Sequence, residues 1–132
     1  MNNVFYKRLL AVTSGIGALG VMIGAFGAHF LKARLDAGNL DTIKTGVLYL
    51  FIHILATLFI ISMSKQSPGS SWLKSAGITF ITGIVLFSGS LFLIGTQSLT
   101  GFPASAIGFI TPLGGLCFII GWISLLVYSL KS

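Results

Sequence analysis

The sequence predicts an all-α, polytopic membrane protein: four transmembrane helices in one compact bundle. Three observations carry that prediction. Hydrophobic residues make up 55% of the chain and charged residues only 8%, where a water-soluble domain holds roughly 25% charged residues. The mean hydropathy is +1.00. The apolar residues also fall into four separate runs, each reaching the roughly 20 residues that cross a bilayer as a helix. At 132 residues the four runs leave no room for a soluble domain between them, so residues 1–132 are expected to form a single transmembrane domain.

The first helix is expected over about residues 9–31. Lys7 and Arg8 precede it as they would a secretory signal, but the apolar run is about 23 residues, longer than the roughly 7 to 15 of a signal's apolar region. A retained helix is the expectation. Within it Thr13, Gly17, Gly20, Gly24 and Gly27 follow steps of four, three, four and three, so they share one face of a helix with about 3.6 residues per turn. Glycine costs about 1 kcal/mol relative to alanine inside a helix. A bilayer gives helices little hydrophobic reason to associate, and small residues compensate by letting backbones approach closely, as Gly20 and Gly24 at small-xxx-small spacing permit. His29 near the end of this helix, beside Lys32 and Arg34, is placed to cap the last carbonyls at the negative end of the helix.

The second helix is expected over about 45–63, after a connector KARLDAGNLDTIK rich in turn formers. Asp41, Thr45, Tyr49, His53 and Thr57 recur every four residues and lie on one slowly drifting face. The third helix is expected over about 72–94, after SKQSPGSS, with Trp72 as an interfacial anchor beside Lys74. The fourth is expected over about 106–130, after GTQSLTGFPAS. Pro112 sits where a missing N–H is tolerated, and Thr111 is placed to cap the first turn. Gly114, Cys117, Gly121, Ser124 and Tyr128 form a second small-residue stripe, and Trp122 reads as a packing residue. Two flat faces point to mutual packing of helices one and four or to a homo-oligomer contact.

The net charge of +6 reflects eight basic residues lying singly or in pairs beside apolar runs, not a basic stripe interleaved with aromatics, so no nucleic-acid partner is expected. They read as topology signals. Four crossings put Lys7, Arg8, Lys65, Lys74 and Lys131 on one side against Lys32, Arg34 and Lys44 on the other. Basic residues in short loops stay cytoplasmic, so a cell-membrane protein with both termini inside is expected. The lone Cys117 offers neither a disulfide nor a cysteine metal site.

Four blocks, GAFGAH (24–29), TGVLYLFIH (45–53), FSGSLFL (87–93) and ITPLGGLCFIIGW (110–122), resemble the signature blocks of the YgdD/YwdK-like family of small bacterial membrane proteins. They occur in family order and span nearly the whole chain. The resemblance implies four transmembrane helices and membrane residence, and it supplies no activity.

Function must then be read from polar groups at membrane depth. An intramembrane ionisable residue marks a functional hypothesis by default, and His53 lies about nine residues beyond Lys44, roughly 14 Å at about 1.5 Å per residue. Either neutral His53 hydrogen-bonds a neighbouring helix's carbonyl, Ser88 or Ser90, or the face of Thr45, Tyr49 and His53 forms a proton, ion or small-molecule site. A metal pair of His29 and His53 is not expected, because their depths differ. An enzyme is not expected either: the only acids, Asp36 and Asp41, both lie in the first connector, and GAFGAH lacks the Lys-Ser/Thr ending of a phosphate loop. No cofactor is implied. Two classes remain: a structural or accessory membrane protein that packs through its small-residue faces with itself or a larger complex, which the scarcity of coupling groups favours, and a small transporter or channel using the polar face of helix two.

Overall fold

Asn3, Asp36 and Ser70 start three of the four long helices, each by accepting a backbone N–H of the first turn, the role for which short polar side chains are favoured. The computed structural model describes residues 3–132. Helix α1 spans Val4–His29 and α2 spans Ala37–Met63. Helix α3 spans Ser71–Gly95 and α4 spans Ile110–Lys131. All four are long and apolar enough to cross a membrane, and among the described residues there is no strand. The four-helix fold class is as the sequence predicts.

The ends of the helices differ from the sequence-based boundaries, for local reasons. Asp36 Oδ1 accepts the Asn39 N–H at 2.7 Å, so α2 begins at Ala37 and takes up eight polar-rich residues that the sequence assigns to the connector. Polar side chains are no obstacle in turns that stand at headgroup depth. Likewise α1 begins at Val4, ahead of the basic pair. Before α4 the chain makes a helical turn at Gln97–Thr100, which Gly101 ends in the left-handed region at φ 73°, and then a second turn at Ala104–Ala106. Helix α4 therefore starts at Ile110 and not near 106. Thr111 does not cap it: no side chain does, and the Thr111 hydroxyl pairs with Ser90 instead.

Helix α3 contains a π turn at Ile84–Ser88. Such turns insert an extra residue into the helical register. Here the turn sends Ser88 to α2 and Ser90 to α4: the Ser88 hydroxyl donates to the Gly46 carbonyl at 2.6 Å, while Ser90 bonds Thr111.

Helices α2 and α3 form the inside of the bundle; a third of each apolar span is buried (33%), against 17% for α1 and 22% for α4. The core is a continuous cluster in which Ile60, Leu73, Ala76 and Phe80 are fully enclosed. The buried threonine hydroxyls bond within their own helices, Thr13 to Leu9 O and Thr57 to His53 O, each at 2.7 Å.

The two glycine stripes do not face each other, and this corrects the expectation of a contact between the first and last helices. The α1 stripe receives α2: Cβ atoms built at Gly17, Gly20, Gly24 and Gly27 would meet Ile54, Leu50, Val47 and Ile43 at 3.9, 2.6, 3.7 and 3.8 Å. Only at Gly20 do side chains of α2, Leu50 and Phe51, press closer than a Cβ would allow; the other three are in ordinary van der Waals range. The α4 stripe receives α3, with Gly114 against Phe87 and Gly121 against Phe80. Each flat face is filled by large side chains of a helix adjacent in sequence, the arrangement that short connectors impose on neighbours.

Candidate functional site

His53 lies sixteen residues from Ala37 and ten from Met63, about 24 and 15 Å at 1.5 Å per residue, so it stands in the middle third of α2. It is 3% exposed, and both ring nitrogens are engaged. Nε2 accepts from the Trp122 indole N–H at 3.1 Å. An indole nitrogen can only donate, so Nε2 is bare, the hydrogen is on Nδ1, and Nδ1–H donates to the Tyr49 carbonyl at 2.7 Å. The imidazole is the neutral tautomer with a partner at each nitrogen.

Its faces are closed as well. The Phe118 ring stacks on the imidazole with centroids 3.6 Å apart and planes 7° from parallel. Phe80 meets it edge-on at 5.1 Å, and Tyr49 lies one helical turn away at 6.2 Å. Edge-on and stacked pairs of this kind contribute about 0.5–1.5 kcal/mol beyond area burial. The result is a buried aromatic junction joining α2, α3 and α4.

The structure separates the candidate polar residues that the sequence groups together. His53 is not bonded to a neighbouring helix's carbonyl, to Ser88 or to Ser90; its acceptor is the carbonyl one turn back on its own helix, and its donor is Trp122. The serines serve other contacts, as described above. Thr45 is exposed and donates back to Asp41 O. Tyr49 is 38% exposed, with its ring 4.6 Å from that of Phe87. At the end of α1 the exposed His29 stands where expected, but it is the Arg34 guanidinium, not His29, that donates to the Phe30 carbonyl, at 3.3 Å. Among the described residues no three His, Cys, Asp or Glu side chains converge as a metal would require.

Phe118 and Phe80 are the site residues that sequence reasoning passes over, while Trp122, expected as a packing residue, packs here and also donates to His53. A signal was present in part: Phe118 and Trp122 are four residues apart and therefore neighbours on one helix face. Their meeting with His53 depends on how α2 and α4 are brought together, and no spacing within either helix reports that.

Four apolar spanning helices closed on a buried neutral histidine define a small polytopic α-helical membrane protein. The chain belongs to the family described as "Protein of unknown function (DUF423)", whose model matches residues 23–115. It is 36% identical over 125 residues to the UPF0382 membrane protein YwdK of Bacillus subtilis (strain 168), covering 94% of this chain and 98% of that one. The UPF0382 inner membrane protein YgdD of Escherichia coli (strain K12) is 35% identical over 126 residues, covering 95% and 92%. A UPF0382 membrane protein of Haemophilus influenzae is 36% identical over 127 residues, covering 96% and 94%. No solved structure matches the chain. The family resemblance read from the four sequence blocks therefore holds, and with it membrane residence.

Proposed function

We propose that this is a non-enzymatic structural or accessory membrane protein whose polar residues at membrane depth hold the bundle together. One observation carries the reading: His53 has a hydrogen-bond partner at each nitrogen and a ring against its face. A group that moves protons or ions needs a free lone pair and an open approach, and here the Trp122 N–H and the Tyr49 carbonyl take the two ring nitrogens while Phe118 covers the imidazole face.

The same proposal includes the orientation, with both termini cytoplasmic, because Lys7, Arg8, Lys65, Lys74 and Lys131 outnumber Lys32, Arg34 and Lys44. It also includes association with further copies or with a larger membrane complex. Both glycine stripes are filled within the chain, so such a partner would meet the outward side of α1, where Val12, Leu19, Met22 and Phe26 are exposed.

The experiment is flux through reconstituted vesicles. Under an imposed gradient of protons, Na⁺ or K⁺, vesicles carrying the wild type are expected to match protein-free vesicles and vesicles carrying His53→Leu. A flux that the wild type supports and His53→Leu abolishes would replace this reading with a transporter.

A further inference from the structure

The end of the bundle that carries both termini is basic and holds no acidic side chain. Lys7, Arg8, Lys65, Lys74 and Lys131 gather there, whereas the chain's only acids, Asp36 and Asp41, stand at the other end, where Asp36 caps α2. From Asp41 to Lys65 is twenty-four residues of largely helical chain, about 36 Å and several Debye lengths at physiological ionic strength. No acidic side chain of the protein neutralises this end.

Two of the five lysines and arginines flank a cleft of about 250 Å³ between the start of α1 and the end of α2, lined by Lys7, Lys65, Asn3, Tyr6 and, beneath them, Leu10 and Ile61. Its rim is fixed in place. The Asn3 side chain accepts from the Phe5 N–H at 3.1 Å and donates to the Pro68 carbonyl at 3.3 Å, which ties the start of α1 to the connector after α2. The carbonyls at the end of α2 do not compete with an incoming anion. Those of Ile60, Ile61, Ser62 and Met63 already accept from Ser64 N–H, Ser64 Oγ–H, Lys65 N–H and Gln66 N–H. Tyr6 walls the cleft, and its hydroxyl is the one buried side-chain polar atom without a partner among the described residues. The positive end of the α1 dipole and the negative end of the α2 dipole meet at this cleft and offset each other, which leaves the two lysines as its source of positive charge.

We propose that this cleft binds the phosphate of an anionic membrane phospholipid, with Lys7 and Lys65 paired to the phosphodiester and the first acyl carbons over Leu10 and Ile61. The shared chemistry is a phosphate anion. The apolar floor, continuous with the lipid-facing surface of α1 where Leu10 is exposed, selects a lipid over a free ion.

The test is native mass spectrometry of the full chain with equimolar phosphatidylglycerol and phosphatidylcholine. Phosphatidylglycerol adducts are expected to dominate. Lys7→Gln with Lys65→Gln should lower their retention about 25-fold, about fivefold per lysine removed near a charged surface. Lys74→Gln with Lys131→Gln should leave retention within about twofold, and both pairs are exposed or half-exposed enough to leave the helical signal unchanged. Equal retention by the Lys7/Lys65 variant, or an equal loss in the Lys74/Lys131 variant, would overturn the site in favour of diffuse surface charge. Displacement of bound phosphatidylglycerol by millimolar inorganic phosphate would overturn the lipid as its occupant.

Discussion

Gly114 and Gly115 are adjacent on α4, and the structure predicts opposite outcomes when each is changed to alanine. A Cβ at Gly114 would stand 2.7 Å from Phe87 Cβ and 2.8 Å from Phe87 Cα, and it would crowd the Phe87 backbone nitrogen as well. Carbon atoms rest at about 3.5–4.0 Å, so α3 and α4 must part by roughly 1 Å. No rotamer change relieves the clash, because the obstacle is backbone. Overpacking a tight contact costs about 1–3 kcal/mol, and the gain of up to about 1 kcal/mol from replacing a helical glycine offsets it only in part. A Cβ at Gly115 would meet nothing nearer than Phe87 Cδ2 at 4.0 Å, so that variant keeps the helical gain and should equal or exceed the wild type. The two should differ by about 2 kcal/mol. Reversible unfolding in mixed micelles, followed by the helical signal and by the fluorescence of Trp72 and Trp122, measures the difference directly. If Gly114→Ala unfolds with Gly115→Ala, the close approach of α3 and α4 is wrong.

Other predictions follow from the same contacts. Gly20→Leu should destabilise the protein, since even a Cβ there lies 2.6 Å from Leu50 Cδ2, whereas Gly24→Ala, 3.7 Å from Val47, should be tolerated; thermal unfolding of the pair in one detergent separates them. Ser88→Ala removes the hydroxyl that donates to Gly46 O and should cost about 0.6 kcal/mol, the average for a hydrogen bond between membrane helices, measured as a shift in the unfolding midpoint. For topology, cysteines at the exposed positions Gln66 and Ser98 in a Cys117→Ala background should react oppositely with an impermeant thiol reagent. Labelling from outside at Ser98→Cys alone is the expected result, and labelling at Gln66→Cys alone would reverse the orientation.

The fold was legible in the sequence because membrane spans announce themselves by length and composition. The four apolar runs depend on no distant contact. The ends were less legible: residues 37–44 are polar and helical together, and polarity alone could not separate a capped helical turn at the membrane surface from a loop. Periodicity found the α1 stripe but could not name its partner, since any helix with a matching row of large side chains fits, and Ile43, Val47, Leu50 and Ile54 on α2 supply one. The π turn of α3 left no composition signal beyond its flanking glycines. The candidate site was legible by half. An ionisable residue at membrane depth singled out His53, and the same spacing drew in Tyr49, whose carbonyl and ring do meet it, and Thr45, which faces outward. Its partners came from α4 and α3, helices distant in sequence, so Ser88 and Ser90 were chosen for their chemistry while the geometry selected Trp122 and Phe118.

The central claim is that His53 is a buried structural junction, and the stability of His53→Leu tests it most directly. Leucine fills the space but leaves the Trp122 N–H without its acceptor and removes the bond to Tyr49 O, and leaving a donor unpaired costs about 1–3 kcal/mol. His53→Gln, which retains one of those bonds, should fall between. Unfolding free energies that rank wild type, Gln and Leu in that order are the predicted result. A His53→Leu protein as stable as the wild type, or more stable, would contradict the account, because a histidine whose removal relieves the fold is one kept for activity.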